Sequence, residues 1–296
     1  MKLLNFGSLN IDRVFSVTQI AQPGQTVSAT AVAQNPGGKG LNQSLALARA
    51  GTPVFHAGNI GTDGLWLRAL LEQNAVDCRF VQTLDAGTGS AFIQVENSGQ
   101  NCIVLDGGAN QKNTPAFCRK VLAAFGRGDY LLLQNEINCL DFLIDLAHEK
   151  QMHILLNPSP MNGALTACDL SKISLFLLNE DEGRQLTGEA AADAILDAMC
   201  SKYPNAATVL TLGGDGCIYR DRNQTLRQNA FHVNAVDTTA AGDTFTGFFL
   251  AAYTAGEPIR ECLCRASAAA AIAVTRSGAA SSIPTLSEVS AFPAAE

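Results

Sequence analysis

The chain has 296 residues, 47% of them hydrophobic and 16% charged, which excludes a disordered polymer and is enough for one large or two ordinary domains. A net charge of −7 argues against a nucleic-acid or anionic-membrane surface, where a basic patch is expected, so small molecules are the expected partners. Nine cysteines with only four histidines and no paired CxxC argue against a disulfide framework or a zinc site. The first nine residues are too short an apolar run for a signal peptide, and no apolar run reaches about 18 residues. A cytoplasmic location is expected.

Residues 3–7 read as a first strand, followed by Ser8-Leu9-Asn10-Ile11-Asp12. In open α/β sheets the carboxyl ends of strands carry ligands, so Asn10 and Asp12 are candidates for holding the hydroxyls of a polyol. Both residue types are also ordinary turn formers. From Val14 to Ala33 the chain is polar and alternating, and residues 26–32 predict an exposed strand in a small separate sheet. Pro36-Gly37-Gly38-Lys39-Gly40-Leu41-Asn42-Gln43 then opens a helix that stops at Gly51-Thr52-Pro53. Gly40 after Lys39, with the preceding spacing, excludes a Walker phosphate loop. The glycines let a ligand lie on the backbone within reach of Lys39 and Asn42, or they form a flexible surface turn.

Residues 54–60 predict a strand and 63–73 a helix. Two alternating segments, 91–95 and 102–105, flank the hairpin signal Asn97-Ser98-Gly99-Gln100. Paired with the earlier alternating segment they predict a four-stranded lid over 15–35 and 89–106, with Gly107 to Asn110 as its return hinge. Helices at 115–125 and 140–149 then alternate with strands at 130–133, 153–156 and 175–178, the pattern of parallel βαβ units. The expected fold is α/β: a doubly wound, mainly parallel sheet flanked by helices, formed by residues 1–296 with the small β-sheet lid inserted in it.

Polar residues end several of these strands: Gln134-Asn135-Glu136, Asn157-Pro158-Ser159-Pro160 and Asn179-Glu180-Asp181-Glu182. Asn179 and Glu182, three apart, either hold a hydrated Mg²⁺ or form a helix cap with an acidic first turn. Residues 209–216 read as a strand entering a glycine turn that seats part of a nucleotide, or as a simple hairpin.

Asp237-Thr238-Thr239-Ala240-Ala241-Gly242-Asp243 follows a strand-like run at 231–236 and leads into a helix marked by Phe245, Phe248, Phe249 and Ala252. A helix start offers unpaired N–H groups and about half a positive charge, and small residues let an anion approach them. A carboxylate in such a hole is repelled by a bound phosphate unless it accepts a proton from the group attacking that phosphate, which makes Asp243 a candidate general base. The alternative is a helix cap worth about 1 kcal/mol.

Gly38-Lys39-Gly40 with Asn42, Asn179-x-x-Glu182, Thr211 with Gly213 and Gly216, and Asp237 to Asp243 resemble, in order and spacing, the ribokinase-like carbohydrate kinases. The stretch 270–278 adds to the likeness, which spans residues 3–284. The resemblance implies an ATP-dependent sugar kinase in which Asn10, Asp12, Gly38, Lys39, Asn42 and Glu136 hold the sugar and Asp243 deprotonates it. Ala240, Ala241, Gly242 and Asp243 would form the anion hole. Asn179, Thr211, Gly213, Gly216, Gly242 and Ser267 would face the nucleotide, and Glu182 would act on Mg²⁺ through water. An activating K⁺ would lie at Asp237, Thr239, Ala273, Arg276, Gly278 and Ser282, held mostly by backbone carbonyls.

D-ribose, converted to D-ribose 5-phosphate, is the implied substrate, since the Glu136 carboxylate suits hydroxyls and repels a substrate phosphate. Pro36 and Asn135 depart from the family's commonest pattern and keep deoxyribose, another sugar or a nucleoside such as pseudouridine as alternatives. Exposed lid edges imply strand pairing in a homodimer. A non-catalytic sugar-binding regulator is the rival from another class, opposed by the intact Asp243. A dinucleotide oxidoreductase lacks its glycine turn after residues 3–7.

Overall fold

A computed structural model describes residues 1–292. Its strands are β1 (Leu3–Phe6), β2 (Asn10–Val17), β3 (Ala31–Gly37), β4 (Val54–Ile60), β5 (Asp77–Thr83), β6 (Gly89–Glu96), β7 (Asn101–Asp106), β8 (Tyr130–Gln134), β9 (His153–Asn157), β10 (Leu175–Asn179), β11 (Ala207–Thr211), β12 (Cys217–Arg220) and β13 (Thr225–Gln228). The helices are α1 (Lys39–Arg49), α2 (Leu65–Gln73), α3 (Pro115–Leu122), α4 (Leu140–Glu149), α5 (Glu180–Thr187), α6 (Ala192–Lys202), α7 (Ala241–Thr254), α8 (Ile259–Val274) and α9 (Leu286–Ser290).

β1, β8, β9 and β10 read as near-continuous apolar runs because helices cover both faces of the sheet they form. Alternate residues serve opposite layers: Leu3, Leu132, Leu155 and Leu177 pack with α1, α7 and α8, while Leu4, Leu131, Leu133 and Leu156 pack with α3, α4 and α6. The nine-stranded sheet runs β13-β12-β11-β10-β9-β8-β1-β4-β5, parallel throughout except at β12 and β13. Chain order proceeds outward in both directions from the β1–β8 pair, so the switch point lies there, and a ligand crevice is expected beyond the carboxyl ends of those two strands. Among the described residues no helix is long and apolar enough to cross a membrane.

The second sheet, β3-β2-β6-β7, is a separate four-stranded layer with β2 and β6 parallel at its centre. The hairpin at Asn97–Gln100 joins β6 to β7 as the turn chemistry predicts. Three expectations need correction. Asn10 and Asp12 are not turn residues after β1; they begin β2, where Asn10 pairs with Gly37 and Gly89, so the small sheet starts at residue 10 instead of 15. The partner strand lies at Ala31–Gly37 instead of 26–32, because only from Ala31 does the backbone meet β2. Residues 231–236 form no strand: the Val236 and Asp237 N–H groups both go to the Val274 carbonyl at the end of α8, at 2.7 and 3.1 Å. Sequence reading also passed over β5, α6, β12, β13, α8 and α9.

Candidate active site

Asp243 is the third residue of α7, whose N-cap is Ala240 in the left-handed region at φ 59° with no side-chain cap. The capping reading therefore fails, because the Asp243 carboxylate turns away from its own helix end and onto α1. Asn42 Nδ2 donates to Oδ2 at 3.1 Å and Gln43 Nε2 to Oδ1 at 2.8 Å, and the residue is only 6% exposed. One close approach makes this possible. A Cβ on Gly247 would lie 2.3 Å from Ala46 Cβ, so only glycine lets α7 lie against α1 one turn beyond the contact. The Ala241 N–H is taken by the Thr238 carbonyl at 3.2 Å, which leaves the following amides of the first turn for a ligand. A Cβ on Gly242 would meet nothing within 4 Å, so the protein's own packing does not demand a glycine there.

Four carboxylates and one ammonium line the region beside the switch point. Glu136 follows β8 and accepts from the Ser8 hydroxyl and from the Lys39 N–H at 2.9 Å, tying the ends of β8 and β1 to the start of α1. Burial pushes its carboxyl above the ordinary range against the opposing pull of Lys39 and those hydrogen bonds. Asp12 is pushed up to about 7, first by burial and then by the neighbouring charges of Glu136 and Asp243. Lys39 is held above its usual value by Asp243 in the first place, against burial, with Glu136 and Glu182 adding to the effect. Asn10 Oδ1 accepts from Asn110 Nδ2 at 2.7 Å, and Asn110 is itself fixed by the Leu9 backbone. Gly38, at φ 91°, precedes α1. Asn42 Oδ1 is buried without a partner, an acceptor left over for a ligand hydroxyl.

Two cavities meet at the start of α7. One of about 240 Å³ is lined by Lys39, Asn157, Asn179, Glu182, Thr211, Gly242 and Asp243 among others. The second, about 360 Å³ and mainly apolar, is lined by the Gly213–Gly216 turn, Phe231, His232, Val233, Ser267, Ala270, Ala271 and Val274. Both share Thr211, Thr238, Gly242 and Phe245, so the α7 start is their common wall. The residues 213–216 are the turn of the β11–β12 hairpin, as the hairpin reading expects, and that turn lines the second cavity. Ser267 has only a Cys217 Sγ at 3.7 Å as partner. Asn179 and Glu182 form a reciprocal capping box at the start of α5, Asn179 Oδ1 accepting at 2.9 Å and Glu182 Oε2 at 3.0 Å. The cap does not exclude a metal role: Glu182 keeps one oxygen without a cap partner, Asn157 Oδ1 is buried and unpartnered, and Lys39 is the sole cationic side chain on the wall. That donor set fits a hard, partly hydrated Mg²⁺.

The loop before α7 closes on itself. Asp237 Oδ1 accepts from Thr239 N–H and Oγ1 at 2.9 and 2.6 Å, and Oδ2 accepts from Gly278 N–H at 2.9 Å. Burial pushes this carboxyl up, but those hydrogen bonds outweigh it and hold it below the ordinary value. The Arg276 side chain pairs with Glu288 at 2.6 Å, so only its main chain is free for the loop. The Ala273 carbonyl accepts the Arg276 N–H at 3.0 Å, and Ser282 Oγ donates to the Ala279 carbonyl at 2.8 Å. An ionised carboxylate among backbone oxygens fits a hard monovalent cation.

With this geometry in hand, a sequence profile described as pfkB family carbohydrate kinase matches residues 1–286. The chain belongs to the pfkB family of carbohydrate kinases. It is 36% identical to a ribokinase of Haemophilus influenzae over 295 residues, covering 97% of this chain and 96% of the relative. Among solved structures, the Thermotoga maritima ribokinase superposes with TM-score 0.88 at 31% identity, covering 99% of both chains. The Arabidopsis thaliana ribokinase, solved with ribose and ATP, gives TM-score 0.84 at 26% identity over 98% of both. The mainly parallel sheet with its small second sheet is the fold of these family members.

Within this pfkB-family site, sequence reasoning missed the residues behind the first layer: Ser8 on Glu136, Asn110 on Asn10, and the buried amides Asn5, Gln43 and Gln134. One signal was available: Asn5 interrupts the run Leu3-Leu4-Phe6 in a strand buried on both faces.

Proposed function

We propose that this chain is an ATP-dependent ribose kinase, transferring the γ-phosphoryl group of ATP to the primary hydroxyl of D-ribose and releasing D-ribose 5-phosphate and ADP. The observation that carries this reading is the Asp243 carboxylate, held on both oxygens by Asn42 and Gln43, close enough to Asp12, Lys39 and Glu136 to raise them, and lining with Lys39 the cavity at the start of α7. Asp243 takes the proton as the hydroxyl oxygen attacks the γ-phosphorus and the bond to the β-phosphate oxygen breaks. The first-turn amides of Gly242 and Asp243 face the charge that develops on the transferring group, with Ala240 and Ala241 shaping the turn that presents them.

Asn10, Asp12, Asn42 and Glu136 bind the sugar hydroxyls, with Gly38 and Lys39 completing that wall. The Asp12 and Glu136 carboxylates, both half-buried, favour a polyol and disfavour a sugar that already carries a phosphate. The adenine lies in the mainly apolar cavity, where Gly213, Gly216 and Ser267 form the wall, and Asn179 and Thr211 face the phosphates and ribose of ATP. Glu182 would hold Mg²⁺, which would supply neutralisation of the charge on the phosphates, needed beside so many carboxylates. The loop of Asp237, Thr239, Ala273, Arg276, Gly278 and Ser282 would take K⁺, a positive charge that would support the turn leading into α7.

Residues 10–37 and 89–106 act as the lid over the sugar, excluding water during transfer. Its outer strands expose Val32, Val104 and Leu105 (62%, 62% and 53% exposed), and pairing of two lids in a homodimer would cover them. Sedimentation at micromolar concentration checks this; a monomer at all concentrations removes it.

A coupled ADP-release assay with ribose, deoxyribose, fructose 6-phosphate and pseudouridine, run with and without Mg²⁺ and K⁺, tests the reading. The highest kcat/KM is expected for ribose. A higher value for another acceptor reassigns the substrate, and sugar binding without any phosphorylated product leaves a binding protein instead of an enzyme.

A further inference from the structure

Behind Asp243 runs a line of buried amides that phosphoryl transfer itself does not use. Gln43 Nε2 donates to Asp243 Oδ1 at 2.8 Å, and Gln134 Nε2 donates both to Gln43 Oε1 at 2.7 Å and to Asn5 Oδ1 at 2.9 Å. Asn5 Nδ2 donates to the Gly40 carbonyl and to Ser44 Oγ, each at 2.8 Å, and Ser44 Oγ lies 2.8 Å from His56 Nδ1. All five side chains are fully buried. We propose that Gln43 is a positioning residue for the general base, and that the Gly40 carbonyl, acting through Asn5 and Gln134, fixes which end of the Gln43 amide faces Asp243. This rests on Asp243 being the base.

The direction of every bond follows from one group that can only accept. A backbone carbonyl has no proton to give, so Asn5 turns its NH₂ to Gly40 and keeps Oδ1 for Gln134. Gln134 must then present its own NH₂, and the same nitrogen meets Gln43, which answers with Oε1. Only the NH₂ of Gln43 is left for the carboxylate. Turning the Gln43 amide over would set oxygen against oxygen at one end and nitrogen against nitrogen at the other, losing two buried hydrogen bonds at once. The far end of the line is closed consistently. Ser44 accepts from Asn5, so its hydroxyl proton goes to His56 Nδ1; burial drives His56 down to about 3, leaving a neutral ring able to accept it.

The carboxylate is thereby gripped on both oxygens from α1, by Asn42 on Oδ2 and by Gln43 on Oδ1. Asn42 keeps a buried acceptor without a partner, whereas Gln43 has both ends committed inside the protein. Gln43 therefore aims the base without touching the sugar, and its loss should appear in turnover and not in binding.

The test is a set of single and double variants assayed for ADP release with ribose and ATP. Gln43→Met keeps the side-chain length and removes both polar ends. Its kcat is expected to fall about tenfold to a hundredfold, the loss of one charge-assisted hydrogen bond, with KM for ribose and ATP within about twofold. Gln134→Leu, which makes no bond to Asp243 and lines neither cavity, should lower kcat by a smaller factor. In an Asp243→Asn background Gln43→Met should cost nothing further, because the group it aims is gone.

Wild-type kcat in Gln43→Met beside an inactive Asp243→Ala overturns the positioning role and leaves the base standing. Wild-type kcat in Asp243→Ala removes the base, and the positioning role with it. A loss that persists undiminished in the Asp243→Asn background shows that Gln43 acts elsewhere and also overturns the role. Should Gln43→Met fail to fold, the isosteric Gln43→Glu takes its place; it should lose more rate, since a second carboxylate then faces the first, and a wild-type kcat there overturns the proposal equally.

Discussion

At the end of the cleft proposed for the nucleotide the wall is hairpin backbone, small residues and apolar side chains from residues 213–216, 231–235 and α8. At the end proposed for the sugar the wall is Asp12, Lys39, Glu136 and Asp243, ionisable groups drawn from the small sheet, α1, the loop after β8 and α7. The first wall recognises shape and offers main-chain atoms, so it changes little with pH and tolerates side-chain exchange. The second holds charges close enough to shift one another, Glu136 and Asp243 raising Asp12 and Asp243 raising Lys39, so those groups depend on their neighbours. The binding half is built to be robust and the reacting half to be sensitive.

The largest effect should come from the reacting half. Asp243→Ala is expected to lower kcat by about 10²–10⁴ while calorimetry still shows ribose binding. An unchanged kcat would erase the contrast between the two walls.

Next is pH. With Asp12 pushed up to about 7, its ionised fraction rises roughly tenfold between pH 6 and pH 8, and the KM for ribose should fall by about that factor over the same range. Asp12→Asn should flatten the profile; a slope that survives in the variant assigns the titration elsewhere. The stability linkage has the opposite sign. The folded-state value lies above the ordinary 3.8 of an aspartate, so between about pH 4 and pH 7 the folded chain holds a proton that the unfolded chain has lost. That contribution to stability is complete at the acid end, is lost as pH rises through the window and is flat above it. Urea denaturation of wild type and Asp12→Asn at pH 5 and pH 8 measures the difference.

Gly37→Ala sharpens the comparison through packing. A Cβ there would lie 2.1 Å from Asp12 Oδ2, so the carboxylate must move, with a stability loss of about 1–3 kcal/mol and a several-fold rise in KM for ribose. The KM for ATP should stay within error; a matching rise would mean that the two walls are not independent. The smallest effect is expected from Ser267→Ala in the apolar wall, less than about twofold on the KM for ATP, because its hydroxyl has only a weak sulfur partner. A tenfold rise would give that wall a polar anchor it is argued not to need.

The same contrast governs how far the sequence could be read. The nucleotide half and the α7 start are local in the chain: residues 237–243, Asn179 with Glu182, and the turn at 213–216 each carry their chemistry within a few residues, and the structure keeps each as a unit. The central sheet was legible for the same reason, since each βαβ unit closes over neighbouring sequence. The sugar half is assembled across distance. Glu136 meets Ser8 across 128 positions and Asp243 meets Gln43 across 200, and no spacing rule reaches that far. Asn10 and Asp12 were identified by residue type yet put in the wrong element, because the switch from buried strand to small sheet takes only Gly7 to Leu9. Residues 231–236 have a strand's composition, but their N–H groups found the end of α8 first.

The contact between Gly247 and Ala46 acts as a spacer gauge for the whole cleft. It sets how far the acceptor-holding helix stands from the helix that carries the proton acceptor, and one added methyl group would widen the gap for every ligand alike. A variant intended for bulkier acceptors should therefore be sought in β2, β3 and β6, whose strands can be reshaped while this distance is left alone.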